Sequence, residues 1–236
     1  MSARFEELAW SQTAMGEISL RRRLEPSLQV DVYEVKLGDE FLMSSLFTAA
    51  EIELARLGLA AVVGTDLDVI VGGLGLGYTA RAVLDDPRVQ SLVVVEALGE
   101  VIDWHERELL PDVAGLASDP RVRLVQGDLF GVVAAGSPLD PDASRRPFHA
   151  VLVDIDHSPR HLLHPSHAGF YTVDGLRRLS SYLHPGGVFG LWSDDPPDQE
   201  FVEVLAQVFV TTEAHVVTFP NPLTGAESAN TVYVSA

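Results

Sequence analysis

The chain has 236 residues, 47% of them hydrophobic and 21% charged, the balance of a globular protein with room for one substantial domain and a small extension. Against 34 Asp and Glu stand only 16 Lys and Arg, a formal charge of −18; this excludes a broad phosphate-neutralising face, and with it nucleic acid as a partner, while attracting small cations or simply serving solubility. Cysteine is absent, which removes disulfides, thiol catalysis and cysteine zinc sites, and neither a signal-peptide pattern at Met1 to Leu8 nor an apolar run near the roughly 20 residues of a membrane span is found, so a cytoplasmic protein with no membrane contact is expected.

Residues 1–60 form the first of two expected regions. Ile18 to Leu20, Val30 to Lys36 and Phe41 to Met43 are short β-branched or aromatic segments broken by Pro26 and by Gly38-Asp39, which predicts a small antiparallel sheet. Thr48-Ala-Ala-Glu51 has the form of a capping box, and Ile52, Leu54, Ala55, Leu57 and Leu59 make a helical stripe behind it. Residues 61–236 form the second region. Apolar runs at Val69 to Val71, Leu92 to Val95, Val122 to Val125, Ala150 to Val153 and Val188 to Trp192 alternate with helical segments. That order predicts a doubly wound α/β fold, a parallel sheet with helices on both faces. After a helix at Gln199 to Phe209, the segments Ala214 to Phe219 and Thr231 to Ser235 flank the breaker-rich loop 220–225, which predicts an antiparallel hairpin at the sheet edge and seven strands in all. The loop 137–147 is the one extended breaker-rich stretch.

The first of these strands runs into Gly72-Gly73-Leu-Gly75-Leu-Gly77 and then a helix. Glycines there permit a sharp turn and bring backbone N–H groups close to a ligand, with the helix N-terminus aimed at it. Glu96, at the next strand end about 20 residues on, is placed to accept two ribose hydroxyls. Asp128, after the third strand, is placed to accept an adenine amino group, with Leu129 N–H serving the ring. Each has a plainer reading, a solvated acid for Glu96 and a helix N-cap for Asp128. Gly75-Leu-Gly-Tyr-Thr-Ala80 also fits a dinucleotide pattern, so NAD competes as ligand. Against NAD stand the acid after the third strand and the terminal hairpin, features of S-adenosylmethionine (SAM) methyltransferase-like sheets.

Val71-Gly-Gly-Leu-Gly-Leu-Gly77, Val94-Val-Glu96, Asp119 to Asp128, Val151-Leu-Val-Asp-Ile-Asp156 and Leu183-His-Pro-Gly-Gly-Val188, with the β-rich N-terminus, resemble the spermidine synthase superfamily. The likeness covers residues 15–236, most firmly 66–195. It implies a Rossmann-like SAM-type fold, a nucleoside site at Gly73, Gly75, Glu96 and Asp128, and a homodimer. SAM or decarboxylated SAM would be the donor, and a small-molecule amine the acceptor. Three segments depart from the family. Its aminopropyltransferases carry an Asp in the glycine turn, which here holds only Leu and Gly. Their Asp-Ser-x-Asp-Pro stands here as Asp154-Ile-Asp-His-Ser-Pro159, and their Tyr-His-Glu run is missing, with Glu51 the nearest acid.

A sulfonium donor needs little activation, so the protein must align and deprotonate the amine. Asp154, directly after the fourth strand, is the expected base and Asp156 the second candidate; a structural Asp capping the next turn is the alternative. His157, Tyr171, Trp192 and Asp194 are candidate acceptor contacts, though Tyr171 and Trp192 suit the core equally well. Four histidines between His157 and His167 invite a metal, yet Pro159 and Pro165 interrupt any helix presenting them on one face, and no metal is expected. The resulting expectation is aminopropyl transfer. Methyl transfer stands beside it on the missing turn Asp, and a non-catalytic nucleoside-binding protein is the third reading.

Overall fold

The computed structural model describes residues 5–141 and 146–236, so part of the 137–147 loop and the first four residues lie outside the described chain. Two sheets are present. The N-terminal one is antiparallel, in the order β1 (Phe5–Thr13), β2 (Gly16–Glu25), β3 (Val30–Leu37) and β4 (Glu40–Ser44). The first of its strands was not expected from sequence, because Phe5-Glu-Glu-Leu-Ala does not alternate. A register shift between Glu7 and Ala9 accounts for this, since a bulge places one extra residue in the pattern.

α1 (Ala49–Ala60) leads out of this sheet and packs Ala50, Leu54, Ala55, Gly58 and Leu59 inward. The expected capping box does not form: Thr48 occupies the N-cap position without a side-chain bond. Glu51, the box's other half, turns instead to a cavity.

The second sheet alternates strands and helices: β5 (Leu67–Gly72), α2 (Tyr78–Leu84), β6 (Val89–Glu96), α3 (Gly99–Glu106), β7 (Val122–Gln126), α4 (Leu129–Ala135), β8 (Phe148–Val153), α5 (Val173–Ser180), β9 (Leu183–Ser193), α6 (Gln199–Leu205), β10 (Thr212–Asn221) and β11 (Ala226–Ser235). Its order is β10-β11-β9-β8-β5-β6-β7. β7 to β9 are parallel through β6, β5 and β8, while β10 and β11 form the antiparallel edge hairpin. Residues of β5, β6 and β8 are buried on both faces, which is why their sequences are unbroken apolar runs.

One hydrophobic cluster joins Ile18, Leu20, Tyr33 and Val35 of the N-terminal sheet to Leu54, Leu59, Val69 and Leu152. The N-terminal sheet is thereby held over the carboxyl ends of β5 and β8. From β5 the chain winds to β6 on one side and, later, to β8 on the other. A crevice opens at such a reversal of strand order.

Candidate active site

A cavity of about 710 Å³ fills this crevice, with the strand ends as its floor and the N-terminal sheet as its wall. β5 ends at Gly72, and the turn that follows is fixed from several sides. Gly73 N–H donates to Val95 O at 2.9 Å. A Cβ on Gly73, whose φ is +91°, would lie 2.0 Å from the carbonyl oxygen of Asp154; only glycine lets β5 and β8 approach so closely here. Glu96 clamps the turn, one oxygen accepting Leu74 N–H and the other Leu98 N–H, both at 2.9 Å. Burial raises its pKa, and these backbone bonds oppose the rise. Across the turn, His105 Nε2 lies 2.9 Å from Gly75 O. Burial lowers the His105 pKa, keeping the ring neutral and Nε2–H a donor to that carbonyl.

Gly73 and Gly75 line the cavity, whereas Gly72 and Gly77 do not. Gly72 is spent on packing, since a Cβ there would stand 2.4 Å from Leu129 Cδ2, and Gly77 caps α2 beside His105 with φ +87°. Asp128 holds the N-cap position of α4 but makes no capping bond. Its carboxylate, with Leu129 and Phe130, faces the cavity beyond Glu96. Gly73, Gly75, Glu96, Asp128 and Leu129 thus converge on one end.

Asp154 lines the other end together with Glu51, His157, Trp192 and Asp194. Thr79 Oγ1 donates to Asp154 Oδ2 at 2.6 Å and lies 3.3 Å from the Glu51 carbonyl oxygen. Burial pushes Asp154 up to about 6 against that single bond. Glu51 is pushed further, to about 8, by burial first, then by the charge of Asp154 and by that of Asp194. Burial together with mutual repulsion therefore makes it costly to ionise both carboxyl groups at once. Asp194 Oδ1 accepts from Asn230 at 2.6 Å, and Trp192 Nε1 is buried without a hydrogen-bond partner.

Asp156 and Tyr171 do not line the cavity. Asp156, 1% exposed, accepts from Leu163 N–H, His167 Nδ1 and Tyr171 O–H at 2.7 to 2.8 Å. It orders the loop after β8 and has no face left for an acceptor, so the second-base reading of Asp156 and the acceptor reading of Tyr171 give way to a buried brace. The histidines are likewise divided among different acids: His157 to Glu40, His161 to Asp195, His167 to Asp156. Among the described residues no group of three His, Asp or Glu could hold a metal ion.

Sequence reasoning missed the wall. Met15, Phe41, Met43 and Phe47 come from the N-terminal sheet and the turn after it, and Phe219 and Asn230 from the edge hairpin. Only Glu51, the acid nearest the missing Tyr-His-Glu run, had a signal that could have been followed.

No family model matches the chain. Over 164 residues it is 28% identical to polyamine aminopropyltransferase 2 of Pseudomonas aeruginosa, covering 65% of this chain and 43% of the relative. It is 30% identical over 129 residues to the polyamine aminopropyltransferase of Bacillus mycoides, covering 55% of this chain and 42% of that protein. The chain spans less than half the length of these two curated relatives. The structure of spermidine synthase from Thermotoga maritima superposes with a TM-score of 0.72 at 19% identity, covering 98% of this chain and 72% of that one. In sequence the chain is similar to polyamine aminopropyltransferases, and its fold is similar to that of spermidine synthase.

Proposed function

We propose that this chain transfers an aminopropyl group from decarboxylated SAM to a small amine. The observation that carries the reading is the division of one cavity into a nucleoside end, at Gly73, Glu96 and Asp128, and an end where Glu51, Asp154 and Asp194 gather negative charge. The ribose hydroxyls would donate to Glu96 and the adenine amino group to Asp128. The sulfonium would then lie between the glycine turn and Asp154, with the cationic amine drawn to the three acids. Asp154 takes a proton from the ammonium nitrogen, and the lone pair this frees bonds to the propyl carbon as that carbon's bond to sulfur breaks and its electron pair passes to sulfur. Methylthioadenosine leaves. Elevated carboxyl pKa values suit this step, since a base titrating near the working pH both accepts and releases a proton. The relatives' names support the reading, and the resemblance supports a homodimer, which sedimentation would test.

Methyl transfer is the second reading, on a specific observation: the turn has no acid for a donor's amino group, and a side chain at Gly75 would strike Met43 Cε at 2.5 Å. Incubation with decarboxylated SAM or SAM and a panel of amines, with the nucleoside product weighed by mass spectrometry, separates the two. Methylthioadenosine is expected. S-adenosylhomocysteine would replace the proposal by methyl transfer, and binding without either product would leave a non-catalytic nucleoside-binding protein. Among the described residues no helix is long and apolar enough to cross a membrane.

A further inference from the structure

The brace around Asp156 has one open end. Tyr171 O–H and Leu163 N–H both donate to the Asp156 carboxyl group, and burial raises the Tyr171 pKa well above its ordinary value, so that hydroxyl keeps its hydrogen. The remaining contact is His167 Nδ1 to Asp156 Oδ1 at 2.8 Å. An acceptor at that position takes the hydrogen on Nδ1, and in the singly protonated imidazole Nε2 is then the lone-pair acceptor. His167 is 7% exposed and lines the cavity. Its ring centroid stands 4.2 Å from that of Phe130, two residues past Asp128. No described residue bonds Nε2. An acceptor fixed in orientation by Asp156 therefore faces the nucleoside end of the cavity with no described side chain to pair it.

We propose that His167 reads the nucleobase: Nε2 accepts one hydrogen of the exocyclic amino group of adenine while Asp128 accepts the other. Asp156 and Tyr171 are then positioning residues that act through His167. An amino group satisfies two acceptors at once, whereas a base with a carbonyl oxygen in that place sets three acceptors against one another, and leaving buried polar groups unpaired is what makes such sites discriminate. The inference rests on the nucleoside reading of the donor given above, and it adds a residue from a loop that neither the glycine turn nor the strand ends would reveal.

Calorimetric titration with 5′-methylthioadenosine and with 5′-methylthioinosine, its 6-oxo analogue, tests it on the wild type, H167F and H167Q. Phenylalanine keeps a ring against Phe130 but removes both nitrogens, and glutamine can again offer an acceptor. The wild type is expected to prefer the amino nucleoside by about tenfold or more, H167F to shrink that ratio by about 5–10-fold, and H167Q to recover part of it. A loss of packing alone would weaken both ligands equally and leave the ratio unmoved. An unchanged ratio in H167F overturns the proposal while the donor reading stands. Wild-type protein that binds neither nucleoside overturns the donor reading and this inference with it. Should H167F not fold, as circular dichroism would show, equal binding of the two nucleosides by the wild type overturns the proposal by itself.

Discussion

At the nucleoside end of the cavity Gly73, Glu96 and Asp128 lie within two residues of a strand end of β5, β6 or β7, with His167 added from the loop after β8, whereas the acceptor end draws on α1, β4, β8, β9 and β11. The difference shows in how charge is held. Glu96 is buried, yet the backbone N–H groups of Leu74 and Leu98 donate to its two oxygens. Asp154 has the Thr79 hydroxyl, and Glu51 has two acidic neighbours. Glu96 is therefore compensated before any ligand arrives, whereas the acceptor end holds an excess of negative charge that a cation would relieve. A preformed nucleoside seat and a charge-hungry acceptor seat are what ordered binding, donor first, would need.

The largest break in this comparison is expected from Asp154→Asn. If the acceptor end alone supplies the proton acceptor, kcat falls by about 10²–10⁴-fold, while methylthioadenosine affinity, set at the other end, stays within a few-fold. Steady-state rates and titration on one preparation measure both. Turnover near the wild-type level would remove Asp154 from the chemistry.

Gly73→Ala strikes the point where the two ends touch. The added Cβ would meet the Asp154 carbonyl oxygen at 2.0 Å, in a backbone conformation with φ +91°. Overpacking and the positive φ together are expected to cost about 2–4 kcal/mol in denaturant unfolding. Gly136→Ala is the control, since its φ of +65° meets open space and should cost only about 1 kcal/mol. Equal losses at the two positions would mean that the β5–β8 approach is not tight.

The same contrast explains what could be read before the structure was known. The nucleoside end was legible because its residues follow strands in sequence: an unbroken apolar run, a glycine turn, and acids directly after the next two strands. Gly72 and Gly77 carry the same letter as Gly73 and Gly75 but serve packing and capping, a distinction that needs the third dimension. At the acceptor end Asp154 was found by the same strand-end rule. Asp156 and Tyr171 were misplaced because residues two apart after a strand need not share a direction; Asp156 turns inward to His167 and Tyr171. The N-terminal wall has no local signature, since Met15, Phe41 and Met43 become site residues only when β2 to β4 dock over the β5 turn. Glu51 was read as a cap because Thr-x-x-Glu is a good capping pattern, and the box fails because Thr48 makes no side-chain bond and Glu51 turns to the cavity.

That failure gives the smallest of these predictions, and it tests whether the acceptor end is strained by charge. Glu51 has an ordinary pKa of 4.5, and burial with the charges of Asp154 and Asp194 raises it to about 8 in the folded chain. The folded state therefore binds more protons than the unfolded one between these values, so stability is full below about pH 4.5 and declines as pH rises through about 8. Glu51→Gln removes the titrating group while keeping its size, and it should flatten this decline. Relative to wild type, the variant gains on the order of 2 kcal/mol between pH 5 and pH 9, read from urea midpoints across that range. A cationic amine bound at Asp154 and Asp194 should flatten the wild-type decline in the same way, because the added positive charge lowers the cost of ionising Glu51. Parallel pH curves for wild type and variant would mean that Glu51 ionises as freely as a surface acid, and the contrast between a backbone-compensated Glu96 and a charge-strained acceptor end would be lost.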